Sequence, residues 1–310
     1  MTDRPALSIG LPTYNGSRYL RQTLASLAAQ DFDDLELIIS DNGSTDDTEA
    51  ICREHAQDDH RVRYERVTAN RGAAWNYNKV LELARGRYFK WAADDDICEP
   101  SFLTSCVAEL ERSPHAVLAY PQTLLIDADG ETIGPLDDSD LDLRHEDAVA
   151  RLSQLLRHRV EWHPIFGVIR TDALRSTRGI GPFILADAAL LAELALRGRF
   201  HQVPERSFLR RYHGQRSIAA NPSFEAHAAW YQPDRPDRSV WPQTRLVREL
   251  VARAMEAPLP LGGRGRAAAA VLRWWAAPNW RLIGGEAKLA VTRPVRVRRA
   301  RRATAVGADS

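Results

Sequence analysis

Several residue types and patterns are scarce in this chain of 310 residues. Its three cysteines, Cys52, Cys98 and Cys106, are too few for a disulfide framework and lack paired metal-ligand spacing, which favours a reducing cytoplasm. No apolar run reaches the ~18–20 residues of a membrane-spanning helix, and the first residues do not resemble a signal peptide. The sequence therefore predicts a cytoplasmic protein, either soluble or held at the inner face of the cell membrane.

Lysine is also scarce, because only three of the 42 basic residues are lysines. Residues 1–140 carry 26 acidic and 13 basic side chains, a net charge of −13, whereas residues 141–310 carry 15 and 29, a net charge of +14. The positive charge is therefore nearly all guanidinium, which suits bidentate contact with phosphate and carboxylate groups. The two halves of the chain have different electrostatic roles.

Glycine-rich phosphate loops are absent as well. Neither Gly-x-Gly-x-x-Gly nor Gly-x-x-x-x-Gly-Lys-Ser/Thr follows a predicted strand, which argues against a dinucleotide cofactor and a Walker-type ATP site. The composition, 44% hydrophobic and 27% charged, is typical of a globular protein. The length predicts one large domain with an appendage, or two domains.

Strands and helices alternate in the first part of the chain. Strands are predicted at 7–11, where Pro12 ends the run, and at 35–40, 62–65 and 87–93, with Ser17 as the N-cap of the first helix. This order predicts an α/β fold with a mostly parallel sheet flanked by helices, whose ligands bind beyond the carboxyl ends of the strands.

The later part of the chain gives a weaker pattern. We predict, in order, a helix at 101–112, a strand at 116–120, an acidic turn around 127–130, a helix at 146–158, a strand at 165–170, a helix at 187–197 and a strand at 207–212. The composition then shifts to Pro, Arg, Ala and Trp. This shift predicts a domain over 1–220 and a basic helical extension over 221–310.

Three polar clusters each follow a predicted strand, so they are expected at one rim of the sheet. They are Pro12-Thr13-Tyr14-Asn15, Asp41-Asn42-Gly43-Ser44 and Asp94-Asp95-Asp96. Three adjacent carboxylates raise one another's pKa unless a cation lies among them, and hard oxygen ligands suit Mg²⁺ or Mn²⁺ holding a diphosphate. The alternatives are a solvated acidic turn for the triplet and an Asx turn with a helix cap for Asp41.

The ordered motifs resemble glycosyltransferase family 2, the inverting sugar-nucleotide transferases of GT-A fold, over roughly residues 6–217. The resemblance rests on the three clusters, on Gly86 and Trp91 before the aspartates and Pro100 after them, and on Asn70, Gly72 and Asn78. It implies that the first two clusters, with Asn70, Gly72 and Asn78, hold the nucleotide. It also implies that the aspartates hold Mn²⁺ or Mg²⁺ on the diphosphate.

One departure from the family string concerns the metal. Counting back from Pro100 places Ala93 where the first aspartate of Asp-x-Asp-Asp is expected, so the resemblance makes Asp95 the direct metal ligand. Asp94 then faces the ribose or the ion and Asp96 supports the site, with an Asp94-x-Asp96 pairing as the alternative.

Further site residues come from the same resemblance. Asp187 matches the catalytic base, although Ala186 replaces the usual Glu, and the alternative is a helix N-cap. His213 is implied as a metal or diphosphate ligand, and Arg211 or Arg216 as neutralising the leaving group. The aromatic segment 162–167 lies where similar enzymes build the acceptor side, or it is the entry to a core strand.

The resemblance thus implies a metal-dependent inverting glycosyltransferase. The expected donor is a UDP- or dTDP-sugar, and the acceptor is a glycan, a lipid-linked glycan, a peptide or a natural product. Two alternatives are a non-catalytic sugar-nucleotide-binding protein of the same fold, which Ala93 and Ala186 favour, and a nucleotidyltransferase. A nucleotidyltransferase normally has a Gly-rich basic loop after its first strand, and residues 12–18 do not resemble one.

The end of the chain is strongly basic. Residues 251–310 hold 12 basic and 3 acidic side chains, with Arg273-Trp274-Trp275, Trp280-Arg281 and an arginine-rich run at 293–302. Arginine beside tryptophan is typical of a helix at a membrane interface, so segment 264–302 is predicted to dock on an anionic membrane. The alternative is a helical extension with a basic tail. No nucleic-acid partner is predicted, and the sequence leaves the oligomeric state open.

Overall fold

The structure, a computed structural model, describes residues 4–137, 139–158, 162–214, 221, 223–233 and 241–286. Nine strands of these ranges form one mixed sheet in the order β3-β2-β1-β4-β8-β6-β9-β5, with β7 paired to β6. The strands are β1 Leu7–Thr13, β2 Leu35–Asp41, β3 Val62–Arg66, β4 Tyr88–Trp91, β5 Ile97–Cys98, β6 Ala116–Ile126, β7 Thr132–Leu136, β8 Val168–Arg170 and β9 Arg199–Arg211.

The first four strands are parallel, as the alternating pattern predicted. One detail differs, because Pro12 does not end β1 but pairs in register with Ser40 of β2. In a parallel strand Pro12 faces the same side as Gly10, toward β4, and β4 ends at Trp91, the partner of Gly10. The missing N–H of proline therefore leaves no neighbouring strand unpaired.

Helices cover both faces of the sheet. They are α1 Ser17–Ala28, α2 Thr48–Asp58, α3 Ala73–Leu83, α4 Phe102–Arg112, α5 Ala148–Arg157, α6 Thr171–Arg175, α7 Ala186–Ala195, α8 Phe224–Tyr231, α9 Pro242–Glu256 and α10 Leu261–Val271. Helices α1, α2 and α4 pack in one apolar cluster, and α3, α5, α7, α9 and α10 in another. Ser17 is the first residue of α1 rather than its N-cap, which is Gly16.

The second half of the sheet differs most from the predictions. Strand β9 is 13 residues long and runs parallel to β6, whereas only its last part was predicted. Pro204 and the charged Glu205 and Arg206 interrupt the apolar pattern in the middle of β9, so the sequence shows no strand signal there. The pairing of β9 with β6 shifts register at the same place. Residues His163–Phe166 form a 3-10 turn instead of a strand, because Pro164 lies at its start and lacks a donor.

The C-terminal helices α9 and α10 pack into the apolar cluster that contains α7, called here the α7-side core. Leu246 and Leu250 of α9 and Val271 of α10 belong to the same apolar cluster as Leu190 and Leu191 of α7. A buried ion pair adds to this contact, because the Arg253 guanidinium donates to the Glu193 carboxylate at 3.1 Å. The predicted domain boundary near residue 220 stays a prediction.

In the ranges that the structure describes, no helix combines the length and the apolar character needed to cross a membrane. The three cysteines, Cys52, Cys98 and Cys106, are buried and unbonded to one another.

Candidate active site

A cleft of about 340 Å³ opens at the carboxyl ends of the parallel strands. Its walls come from the turns after β1, β2 and β4, from α3 and from the end of β9. The lining residues are Pro12, Thr13, Tyr14, Asn15, Gly16, Arg18, Tyr19, Asn42, Asn70, Ala73, Asn76, Tyr77, Ala93, Asp94, Asp95, Asp96, Phe166, Arg210, Arg211, His213, Asn221 and Trp230. Two of the three predicted clusters therefore line the cleft, and one residue of the third does.

The three adjacent aspartates after β4 have different partners. Asp94 Oδ2 accepts a hydrogen bond from Thr13 Oγ1 at 2.6 Å, and Asp96 Oδ1 accepts one from the Arg211 backbone N–H at 2.9 Å. Asp95 Oδ2 lies 2.8 Å from His213 Nε2. In the described ranges His213 is the one ionisable side chain that pairs with these carboxylates. Asp94 and Asp96 are thus fixed by hydrogen bonds from Thr13 and from the Arg211 backbone. Asp95 and His213 face each other in the cleft.

The pKa values of Asp94 and Asp96 are set mainly by burial and by the closeness of the Asp95 carboxylate. Burial, reinforced by the negative charge of Asp95, raises the pKa of Asp94 to about 7. The same two causes raise the pKa of Asp96 to about 7. A bound cation would stabilise the ionised form of these carboxylates and so lower their pKa.

His213 is held by an aromatic contact as well as by Asp95. Its ring lies 4.7 Å from the Tyr19 ring, and the Arg211 guanidinium lies 4.6 Å from the centre of the same Tyr19 ring. Arg211 is 1% exposed and donates to the Asp95 and Asp127 backbone carbonyls and to Gln22 Oε1. Its guanidinium therefore supports the floor of the cleft, and its predicted contact with a diphosphate stays a prediction.

The turn after β1 depends on two special backbone positions. Asn15 has φ of +53°, and its backbone N–H donates to Ser44 Oγ at 2.9 Å. A Cβ at Gly16 would lie 2.2 Å from Asp94 Oδ2, so only glycine allows the aspartate to approach. The sequence prediction missed Gly16, although its position directly after Asn15 was the available signal.

The cluster after β2 is mostly structural. The Asp41 carboxylate is fully buried, accepting at Oδ1 from the Ser44 N–H at 2.8 Å and at Oδ2 from the Tyr64 hydroxyl at 2.8 Å and Arg66 Nε at 3.2 Å. Asp41 and Ser44 do not line the cleft, nor does Gly43, which takes the turn with φ of +79°. Direct binding of a nucleoside by Asp41 stays a prediction.

A network of amides connects this turn to the loop before α3. Asn42 Nδ2 donates to Asn70 Oδ1 at 2.9 Å, and Asn42 Oδ1 accepts from the Arg71 N–H at 2.9 Å. Gly72 has φ of +87°, and a Cβ there would lie 2.4 Å from the Tyr231 carbonyl oxygen of α8. Asn42 and Asn70 line the cleft, whereas Gly72 allows α8 to pack beside them.

Asn78 and Asp187 lie outside the lining. Asn78 Nδ2 donates to the Ile180 carbonyl and Oδ1 accepts from the Ile180 N–H, so Asn78 anchors the loop before α7 rather than a ligand. Asp187 is in the first turn of α7, two residues after the N-cap Leu185, which has φ of +68°. Its negative charge reaches the cleft wall: burial, then Asp94, Asp95, Asp96 and Asp187, raise the pKa of Tyr77.

Several lining residues were missed by the sequence prediction. Trp230 and Asn221 come from beyond the predicted domain boundary, and Arg210 precedes the residue that was singled out. Two further residues carry buried polar atoms without a hydrogen-bond partner in the described chain, the Tyr19 hydroxyl and Asn76 Oδ1. Such atoms are typical of a site that a ligand completes. Arg216 lies outside the described residues.

The donor set fits a divalent cation only in part. No group of three or more His, Cys, Asp and Glu side chains within the described ranges is arranged to hold a metal. Asp95 and His213 nevertheless offer an oxygen and a nitrogen ligand side by side, next to two carboxylates whose pKa is raised by burial and by the charge of Asp95. Mg²⁺ and Mn²⁺ accept such incomplete protein sets when phosphate and water fill the other positions.

Comparison with known proteins gives relatives over part of the chain. A segment of 129 residues, 42% of this chain, is 35% identical to a chondroitin synthase of Escherichia coli and covers 19% of it. A match of 93 residues, 30% of this chain, is 37% identical to a GalNAc(5)-diNAcBac-PP-undecaprenol beta-1,3-glucosyltransferase of Campylobacter jejuni and covers 30% of it. The matched segments thus span less than a third of either relative.

Solved structures show the fold over most of the chain. S. aureus TarS 1-349 in complex with UDP-GlcNAc superposes with a TM-score of 0.64 at 17% identity, covering 89% of this chain and 75% of that one. A mannosyltransferase of Pyrobaculum calidifontis in complex with GDP-Man and Mn²⁺ gives 0.53 at 19% identity, covering 96% and 83%. The predicted GT-A fold is confirmed by these neighbours.

The family itself is shown by the sequence pattern of Glycosyl transferase family 2, which matches residues 8–176. This range contains the turns after β1, β2 and β4 that build the acidic side of the cleft. With the fold and these turns in agreement, the chain belongs to glycosyl transferase family 2.

Proposed function

We propose that the chain is a metal-dependent inverting glycosyltransferase that takes a sugar from a nucleoside-diphosphate donor. The observation that carries the proposal is the cluster of Asp94, Asp95 and Asp96 at the mouth of the parallel sheet, which pairs with His213 and with no arginine or lysine side chain in the described ranges. A site of this kind attracts a cation and, through it, an anionic diphosphate.

Asp95 and His213 would hold the cation, which is Mn²⁺ or Mg²⁺ in this proposal. When bound, it supplies the positive charge that stabilises a departing diphosphate. Thr13 fixes Asp94 by a 2.6 Å hydrogen bond, and the Arg211 N–H fixes Asp96, so the neighbouring carboxylates keep their positions when the site is charged. The neighbour solved with GDP-Man and Mn²⁺ supports a divalent ion in this fold.

The loops around the cleft would bind the nucleotide. Asn15, Asn42 and Asn70 line the cleft and are fixed by backbone and side-chain hydrogen bonds. Arg210 lines the cleft near Asp96, where its charge favours the ionised carboxylate and a diphosphate alike. A UDP- or dTDP-sugar is the proposed donor, and the TarS complex with UDP-GlcNAc supports uridine.

Asp187 is the proposed general base. It takes the proton from the acceptor hydroxyl while that oxygen attacks the anomeric carbon from the face opposite the diphosphate, which inverts the configuration. Its place at the start of α7 suits an ionised carboxylate, because the first turn of a helix favours negative charge. Tyr77 lies on the cleft wall within the electrostatic reach of both Asp187 and the aspartate cluster.

The proposed acceptor is a glycan or a lipid-linked glycan. The two partial relatives carry names of enzymes that build such products, a chondroitin synthase and an undecaprenol-linked glucosyltransferase. Trp230 and Phe166 give the cleft aromatic surface beside the polar donor side, and aromatic rings suit the apolar faces of sugars. A cytoplasmic location at the inner membrane face would match a lipid-linked acceptor.

The proposal is tested by incubating the protein with UDP-, dTDP- and GDP-sugars and Mn²⁺ and measuring nucleoside diphosphate release. We expect release with at least one donor, its loss on chelation and its restoration by added Mn²⁺. NMR of the product then shows whether the anomeric configuration is inverted. Tight nucleotide binding by calorimetry without release, for every donor and acceptor tried, would instead support the sugar-nucleotide-binding protein that Ala93 and Ala186 favour.

A further inference from the structure

The last described helical segment has one face in the core and one in solvent. It comprises α10, a π-helical turn at Leu272–Ala276 and a helix at 280–286. Ala270, Val271 and Trp275 of this segment are buried in the α7-side core, and Trp275 Nε1 donates to Gln243 Oε1 at 3.2 Å. Packing of this face sets the orientation of the helical segment, and the orientation decides which of its side chains point into solvent.

The outward face carries an unusual concentration of apolar side chains. Leu261 is 77% exposed, Leu272 53%, Trp280 64% and Leu282 57%. These are four of the seven large hydrophobic side chains that are exposed in the described chain. Four glycines of the same segment also face open space, because a Cβ added at Gly262, Gly265, Gly284 or Gly285 would meet no atom within 4 Å. Clustered apolar exposure of this kind marks a binding surface.

Arginines accompany these apolar side chains. Arg273 and Arg281 are exposed, and their guanidinium groups lie 4.9 Å from the Trp274 ring and 5.4 Å from the Trp280 ring. Across the described ranges, neither guanidinium forms an ion pair with a carboxylate. The sequence beyond residue 286 adds seven basic side chains and one acidic side chain. Positive charge therefore adjoins the apolar surface without acidic partners of its own.

We propose that this surface, formed by Leu261, Leu272, Arg273, Trp280, Arg281 and Leu282 and called here the docking face, binds an anionic lipid bilayer. Trp280 and the leucines enter the headgroup region, and the arginines pair with lipid phosphates. Charge alone fits nucleic acid equally well, but a phosphate backbone offers no apolar layer for Leu272 and Trp280. The inference holds whether or not the chain transfers sugars, because it rests on the docking face alone.

The test is flotation of the full-length protein with vesicles of phosphatidylcholine, alone or mixed with phosphatidylglycerol. We expect binding to the mixed vesicles and weak binding to phosphatidylcholine alone. Replacing Leu272→Ser together with Trp280→Ser lowers the partition coefficient about tenfold, since each loses apolar contact with the bilayer. The matched control is Ile133→Ser, a 58% exposed side chain of the β6–β7 hairpin, which leaves binding unchanged.

A second pair of variants tests the charge. Arg273→Glu with Arg281→Glu should abolish the preference for phosphatidylglycerol, whereas Arg63→Glu, a 46% exposed arginine on β3, should preserve it. All these side chains are exposed, so unchanged thermal unfolding is expected and would show that the variants are folded.

Three results would overturn the proposal. One is absence of binding to the mixed vesicles. Another is equal binding by the Leu272→Ser, Trp280→Ser variant and the parent, which would mean that the basic residues beyond 286 act without the docking face. The third is binding of a single-stranded RNA that competes with the vesicles and is unaffected by the two serine replacements.

Discussion

The carboxylates at the amino end of the parallel sheet and the aspartates that line the cleft are held in opposite ways. At the amino end, the Glu36 carboxylate accepts from Ser8 Oγ at 2.6 Å and from Arg85 Nε at 3.0 Å. Nearby, the hydrogen bond from Arg61 lowers the pKa of Asp59 to about 2. At the carboxyl end, burial and a neighbouring carboxylate raise the pKa of Asp94 and of Asp96 to about 7.

This contrast distinguishes acidic side chains that stabilise the fold from acidic side chains that belong to the candidate active site. The chain is rich in arginine, and it pairs arginine with acids at the amino end, so cations are available to it. In the described ranges no arginine or lysine forms an ion pair with the cleft aspartates, and Arg210 and Lys90 act on Asp96 by charge alone. We expect replacements at the carboxyl end to affect chemistry and replacements at the amino end to affect stability.

The largest effect is expected for Asp187→Asn. The amide keeps the shape of the side chain but cannot take a proton, so transfer should fall between about 100-fold and 10,000-fold. Donor binding, measured by calorimetry, should be unchanged. The matched control is Asp172→Asn, another acid in the first turn of a helix; unlike Asp187, it is not among the main charges that act on Tyr77 of the cleft wall, and it should keep full activity. Equal losses in both variants would remove Asp187 from the chemistry.

Asp95→Asn is expected to have the next largest effect. Loss of one charged ligand should reduce diphosphate release about 100-fold or more and raise the Mn²⁺ concentration needed for half-maximal activity. Asp129→Asn, on the exposed turn between β6 and β7, is the control and should change neither. An Asp95→Asn enzyme with the parent's metal dependence would contradict the contrast between the two ends.

Trp230→Ala tests the aromatic side of the cleft. We expect the KM for a sugar acceptor to rise about tenfold, because a stacked ring contributes roughly that much. Hydrolysis of the donor by water should be unchanged, since it needs no acceptor sugar. Trp230→Phe should recover most of the loss. A p-nitrophenyl glycoside panel supplies the acceptors, and an equal fall in hydrolysis would place Trp230 on the donor side instead.

Asp59→Asn should have the smallest effect, and only on stability. A carboxylate with a lowered pKa stabilises the fold above its unfolded pKa, and this contribution is lost as the pH falls from about 4 toward 2. After allowance for solvent screening we expect about 1 kcal/mol at pH 7, measured by urea unfolding. The exposed neighbour Asp58→Asn is the control. Activity should survive in both, because neither residue lines the cleft.

Much of the parallel half of the fold could be predicted from the sequence. Its strands and helices obey simple periodicity: Leu20, Leu24 and Leu27 are buried on one face of α1, as their spacing predicted. The polar clusters after the strands could be placed at one rim for the same reason, since carboxyl ends of parallel strands share an edge. Family membership, fold and the position of Asp95 in the cleft all followed from this half.

The remainder depends on contacts between distant parts of the chain. No local pattern shows that Asn78 will bind the backbone of Ile180, about a hundred residues away, or that Trp230 will return to the cleft. Trp275 looked like an interface residue beside its arginine but is buried against Trp162. Tertiary packing decides whether such side chains are buried or exposed. Of Trp274, Trp275 and Trp280, Trp280 alone is largely exposed.

The match to the family ends at residue 176, yet His213, Asn221 and Trp230 all reach the cleft from later in the chain. The part of the cleft that comes from beyond the family match therefore includes both His213, a proposed metal ligand, and Trp230, on the proposed acceptor side. We expect an exchange of everything after residue 176 between two relatives to change the choice of acceptor while leaving Asn15, Asn42 and Asn70, the proposed nucleotide side, in place. In such hybrids Gly72 would have to be retained, because a side chain there would collide with the backbone of the incoming helix at the position of Tyr231.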